Sequence, residues 1–233
     1  MKVEVITTYY KEEFLAPLFM LHYSWADQIN IITASFPEGK FNDHLKTDLI
    51  NRAISDSWAD WVIVVDFDEF VFPYPYGADP RKALEQETGD KINVPMWRVW
   101  RHHTDRDVNR MAPPVPQRLH GVPNREHTKP CIFRPRGVRR GVQIHVGCHN
   151  AEFPEDFQWG KDWTATHWAN ADPCFGIRRS REDRQARLCQ QQLNENLGVI
   201  SEWLQPDFLE RRYLQHLNDS PIDIGLAIGN SPS

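Results

Sequence analysis

Two hydrophobic periods alternate along the first third of the chain. Val3 to Tyr10 is β-rich and alternating, which predicts a first strand. Lys11-Glu12-Glu13 then opens a helix predicted over Glu12 to Trp25, with its acidic residues in the favourable first turn. Asp27 to Thr33 reads as a second, short strand. Pro37, Gly39 and Asn42 mark a loop, and His44 to Asp56 a second helix with Leu45, Leu49, Ile50 and Ala53 on one face. Trp61-Val62-Ile63-Val64-Val65 is an unbroken apolar run, which suits a strand buried on both faces. The β-α-β-α-β order predicts a parallel sheet with right-handed crossovers.

Beyond it the pattern is less regular. Pro73, Pro75, Gly77 and Pro80 break the chain, and Arg81 to Thr88 predicts a short helix. Lys91 to Trp100 reads as one strand, and residues 101–128 as a polar, Pro-rich irregular segment holding His102, His103, His120 and His127. Lys129 to Arg134 and Val138 to Val146 predict two strands, paired antiparallel across Pro135-Arg136-Gly137. Phe153 to Trp163 is loop-like, and Thr164 to Trp168 a last strand. From Phe175 the pattern is helical, through Leu188, Leu193, Leu197 and Ile200, with a final helix over 207–217 and a frayed end. The expected organisation is an α/β domain over 1–174, C-terminal helices over 175–224 packed on it, and a flexible tail over 225–233.

Composition narrows the class. A chain of 233 residues buries enough apolar surface to need no disulfide staple. The net charge of −5 gives no general attraction to nucleic acid. Cys131, Cys148, Cys174 and Cys189 form no Cys-x-x-Cys pair and read as free thiols of a cytoplasmic protein. No signal peptide or bilayer-spanning run is visible, so any membrane contact is expected to be peripheral.

The chemistry concentrates where the third strand ends. Asp66, Asp68 and Glu69 follow the apolar run, and an unpaired buried carboxylate is costly. They are therefore expected just past the strand's C-terminal edge, where open α/β sheets bind ligands. Asp66 and Asp68 stand two residues apart, so in extended chain they point the same way. Two converging carboxylates call for a cation, and a hard divalent metal is the usual one. Other chemistries share the pattern: capping or arginine pairing, a haloacid-dehalogenase-type nucleophile at Asp66 with Asp68 as acid, or a two-metal nuclease centre. His145, Cys148 and His149 have zinc-ligand types but no second pair to close a tetrahedral site. Arg134, Arg136, Arg139 and Arg140 lack interleaved acids and suit an anionic group. Arg178, Arg179, Arg181, Arg184 and Arg187 alternate with Glu182 and Asp183, as on a solvated helix face. The nine Trp, including Trp97, Trp100, Trp159, Trp163 and Trp168, suit core packing or stacking on a sugar-like ligand.

Val5 to Glu13, then Lys46 and Asn51, then Asp60 to Phe70 resemble the family 2-type glycosyltransferases of the GT-A fold. The branch with a D-x-D-E-F motif, shared with family 92-like enzymes, is the most similar. Lys129 to Pro135, Ile144-His145 and Thr166-His167-Trp168 resemble its later blocks. The resemblance covers residues 1–72 and, in patches, 129–185. It implies a mainly parallel Rossmann-like sheet flanked by helices, and a nucleotide-diphosphate sugar as donor, with a UDP-sugar favoured. Thr8, Tyr9, Glu12, Lys46, Asn51 and Lys129 would bind the substrates. Asp66 and Asp68 would hold Mn²⁺ or Mg²⁺ against the diphosphate, completed by a late histidine, with His145, His167 and His149 as candidates. The acceptor would be a glycan or lipid-linked molecule whose hydroxyl attacks the donor's anomeric carbon with inversion, displacing the nucleoside diphosphate and giving its proton to a base, for which Glu69, Asp156 and Glu155 are candidates.

Overall fold

The computed structural model describes residues 1–33, 41–101, 105–123, 129–135, 142–160, 163–169, 171 and 222–223. Of the segment 175–224, expected to be helical, only Ile222–Asp223 is described, as a strand; the tail, His102, His103, His127, Cys174, Cys189, and all the singled-out arginines except Arg134 lie outside these residues. The two described cysteines, Cys131 and Cys148, are free and buried. The architecture is mixed α/β, with sheets flanked by helices.

The first sheet has five strands in the order β2-β1-β3-β8-β5: Gln28–Ile32, Val3–Thr8, Trp61–Val64, Lys129–Phe133 and Lys91–Val94. β1 pairs in parallel with both β2 and β3, as the β-α-β-α-β order requires. β8 enters antiparallel between β3 and β5, so the other four strands share one direction. The second sheet was not anticipated. It runs β12-β7-β6-β11-β4: Ile222–Asp223, His120–Pro123, Met96–Val99, Trp163–His167 and Glu69–Pro73.

Helix α1 spans Ala16–His22, shorter than expected, and Pro17 lies in its first turn. The Glu12 carbonyl instead accepts from the Leu15 and Ala16 amides in a turn, which leaves Glu12 and Glu13 in the loop after β1. Helix α2 spans Asp43–Asp56, and the Asn42 side chain caps it by accepting from the Leu45 amide at 3.0 Å. Its buried face is Lys46, Thr47, Ile50 and Ile54; of the predicted face Ile50 is buried and Leu45, Leu49 and Ala53 are half-buried, so the face is rotated by about one residue. That rotation carries the Lys46 ammonium inward. Helix α3 spans Pro80–Gln86.

Two expectations change through proline and burial. The predicted single strand 91–100 is two, because Pro95 divides β5 from β6 and sends them to different sheets. The predicted partner of β8 is also different. β9, Gln143–Ile144, pairs with β10, Ala151–Glu152, while β8 inserts its fully buried Ile132 and Phe133 between β3 and β5.

The core lies on both faces of the first sheet. Val3, Val5, Trp61 and Ile63 face α1 and the second sheet. Ile6, Val62 and Val64 face Ile50 and Ile54 of α2 and Ile144 of β9. Fully burying one such aliphatic side chain contributes about 1.5–3 kcal/mol, so the sheet between these layers is a firm base for the loops at its C-terminal edge.

Candidate functional site

Asp66 and Asp68 sit where β3 leaves the first sheet to become β4 of the second. The intervening chain is not extended. The Glu69 amide donates to the Asp66 carbonyl at 3.0 Å, closing a four-residue turn. The extended-chain geometry expected of the two aspartates therefore does not apply here. Nor do all the acids lie outside the core, because Asp68 and Glu69 are each only 2% exposed. The cost of burying them is met by partners.

Both oxygens of Asp66 take a lysine. The Lys46 ammonium of α2 donates to Oδ1 at 2.5 Å, and that of Lys129 on β8 to Oδ2 at 2.6 Å. Lys129 also stands 2.6 Å from Glu69 Oε1 and donates to Glu69 Oε2 at 2.8 Å. The Asp66 amide donates to that same Glu69 Oε2 at 2.8 Å. Burial pushes the Asp66 carboxyl up, but Lys129 and Lys46 outweigh it and hold the group well below the usual carboxylate range. Burial pushes Lys129 down, and Asp66 and Glu69 overcome it, so the ammonium stays charged. Lys46 is raised in the same way: Asp66 outweighs its burial. Burial is the largest influence on Glu69 and raises its carboxyl against the pull of Lys129.

Asp68 meets a different side chain. Its Oδ2 stands 3.2 Å from His167 Nε2 at the end of β11, and its carbonyl accepts from the Trp168 amide at 2.7 Å. The register of β11 against β4 places His167 opposite Glu69, which brings the imidazole to the turn. Lys46 and Lys129 both contact Asp66, Lys129 also contacts Glu69, and Asp68 stands beside an imidazole.

The residues of the expected nucleotide pocket divide. Thr8 ends β1, and Tyr9 follows it with its amide donating to the Ile32 carbonyl at 3.1 Å and its ring edge-on to Phe67. Glu12 is in the same loop and is buried. These three lie at the C-terminal edge of β1, the edge at which neighbouring parallel β3 delivers Asp66. Lys46 joins them through Asp66, with its ammonium also 5.8 Å from the Phe41 ring centre. Lys129 belongs to the same cluster but is fully buried, so it faces carboxylates rather than a ligand surface.

Other candidates are engaged elsewhere. Asn51 clamps β9: its Nδ2 donates to the Ile144 carbonyl at 3.0 Å, and its Oδ1 accepts from the Ile144 amide at 2.8 Å. The His145 ring stands 3.1 Å from Glu152. Glu155 and Asp156 are on the exposed loop after β10, and His149 is half-buried. Among the described residues, no group of three or more His, Cys, Asp and Glu side chains is arranged to hold a metal ion by itself. No helix among them is long and apolar enough to cross a membrane. Sequence reasoning missed the Lys129–Glu69 pairing and its link to the Asp66 amide, for which no spacing gives a signal.

No family model and no curated protein matches this sequence. Among solved structures, residues 1–349 of S. aureus TarS align over 94% of this chain and 71% of that one, at 12% identity and a TM-score of 0.39. A second S. aureus TarS structure aligns with 100% of this chain but only 46% of its own length, at 11% identity and a TM-score of 0.38. The 1–349 form in complex with UDP aligns over 93% and 89%, at 9% identity and a TM-score of 0.35. Likenesses this distant transfer no residue and no ligand to the present chain.

Proposed function

We propose that this protein is a metal-dependent glycosyltransferase that moves a sugar from a nucleoside-diphosphate donor to a glycan or lipid-linked acceptor. The observation that carries the reading is the division of labour in the turn after β3. Two lysines neutralise Asp66 and Glu69, while Asp68 stands beside His167. The residues fit a divalent cation there. Ligands about 2.1 Å from an octahedral ion stand about 3 Å apart along an edge, and Asp68 Oδ2 and His167 Nε2 are separated by 3.2 Å. With only these two side chains, the remaining positions suit phosphate oxygens and water, the ordinary arrangement for Mg²⁺ and Mn²⁺ in nucleotide sites.

Asp68 and His167 would hold the ion, which supplies electrostatic stabilisation to the negative charge of a leaving diphosphate. Asp66, fixed by its lysines, presents a rigid anionic wall beside them and accepts from a ribose or sugar hydroxyl. Thr8, Tyr9 and Glu12 at the end of β1 form the nucleoside side of the pocket, in keeping with the family 2-type resemblance of residues 5–13 and 60–70. Lys46 holds positive charge against Asp66 from the α2 side. The lysine ties of Asp66 count against a phosphatase in which that residue is the nucleophile, since both its oxygens are already engaged. Glu69 is buried on Lys129 and is not placed to take an acceptor's proton.

The test is incubation with Mn²⁺ and a panel of UDP-, GDP-, CMP- and dTDP-linked sugars, with donor consumption followed by NMR. Slow donor hydrolysis by the wild-type protein that Asp68→Asn abolishes is the expected result. Nucleotide binding without turnover of any donor makes the protein a binding module of the same fold instead. The reading of inversion is overturned by a product that keeps the donor's anomeric configuration.

A further inference from the structure

We propose that Lys129, together with Glu69, is a positioning residue for the Asp66 carboxylate, and that it acts on the reaction only through Asp66. The proposal rests on the glycosyltransferase reading. Three contacts close a ring through both the backbone and the side chain of Asp66. The Asp66 amide donates to Glu69 Oε2 at 2.8 Å, Lys129 donates to the same oxygen at 2.8 Å, and Lys129 donates to Asp66 Oδ2 at 2.6 Å. Glu69 is itself held, because its carbonyl accepts from the Tyr23 hydroxyl at 2.8 Å and the Val71 amide donates to that hydroxyl at 3.1 Å.

The ring contains no solvent-facing lysine. Lys129 has no exposed surface, and Glu69 has 2%. A ligand at the C-terminal edge of the sheet meets Asp66, whose side chain is 27% exposed, and not the ammonium behind it. Lys46 differs: it approaches the other oxygen of Asp66 from α2, next to Phe41. Asp66 sits between β3 and a turn, where the backbone alone does not fix its rotamer. Lys129 arrives from β8, the antiparallel insertion into the first sheet, and so ties the orientation of Asp66 to the middle of that sheet. Catalytic groups held in this way by buried hydrogen-bonded partners keep a geometry that loops alone do not.

The test is a mutant cycle in kcat/KM for donor turnover, with melting temperature measured alongside. Lys129→Met alone leaves Glu69 buried without its cation and is expected to unfold. Lys129→Met with Glu69→Gln removes one positive and one negative charge together and is expected to stay folded. The double variant should lose at least tenfold in kcat/KM while remaining folded. Adding Asp66→Asn to it should cause no loss beyond that of Asp66→Asn alone, because both changes act on one group. Wild-type activity in the double variant, or losses that multiply in the triple variant, overturn the proposal. An unfolded double variant assigns the pair to the core and overturns it too. A wild-type protein that turns over no donor removes the premise, a failure visible before any variant is made.

Discussion

Replacing Asp66 by asparagine tests how far the two lysines of this turn depend on its charge. The substitution keeps size and removes the charge shared by Lys46 and Lys129, whose side chains are 7% and 0% exposed. Removing one partner of a buried ion pair costs about 3–5 kcal/mol. Asp66 itself is 27% exposed, so solvent screens part of the loss and the low end applies, about 3 kcal/mol. For a chain of this size each kcal/mol moves the melting temperature by about 2–4 °C, which puts the expected fall at roughly 6–12 °C. Asp68→Asn leaves both lysine contacts of Asp66 in place and is expected to lower the melting temperature by less than Asp66→Asn does. The assay is thermal unfolding followed by circular dichroism at pH 7 without added metal or nucleotide. Equal melting temperatures for Asp66→Asn and wild type, or an equal fall in both variants, would refute the division of labour.

Further outcomes follow from the same contacts. Asp68→Asn should lower donor turnover by about 10²–10³-fold, the range for deleting one electrostatic stabiliser, and His167→Ala should weaken Mn²⁺ binding where His145→Ala does not, as read by calorimetric titration. Asn51→Ala leaves the Ile144 amide and carbonyl without their clamp and should cost about 1–3 kcal/mol in denaturant unfolding with the affinity for nucleoside diphosphate unchanged. His22 gives an acid limb to stability. Burial lowers its pKa to about 4 from 6.5, against the opposing Val71 carbonyl bond, so the unfolded chain binds a proton that the folded one refuses between these values. Its contribution is therefore complete above pH 6.5 and is lost as pH falls towards 4, by at most about 3 kcal/mol. The difference in unfolding free energy between pH 6.5 and 4 should shrink by that amount in His22→Gln.

Much of the frame was legible in the sequence, for reasons that particular residues make plain. The apolar run 61–65 could only be a buried strand, and the acids after it had to need partners. What periodicity could not show was who the partners were. Lys129 lies 63 residues from Asp66 and His167 lies 99 from Asp68, and only the insertion of β8 and the pairing of β11 with β4 bring them together. The second sheet escaped notice because its strands are short and separated by prolines, and because Phe70-Val71-Phe72, buried on both faces, offers no alternation to read. The α2 face was misplaced because Lys46 is a charged residue on a buried face, a position that a hydrophobic pattern assigns to solvent.

The central claim is that Asp68 and His167 hold a divalent cation that bridges a nucleoside diphosphate. Calorimetric titration with UDP and GDP, in Mn²⁺ and again in chelator, tests it most directly in the wild-type protein and in Asp68→Asn. The account predicts that Mn²⁺ tightens binding of one of them at least tenfold in the wild type and that Asp68→Asn erases this increment. Equal affinity with and without the metal would contradict it.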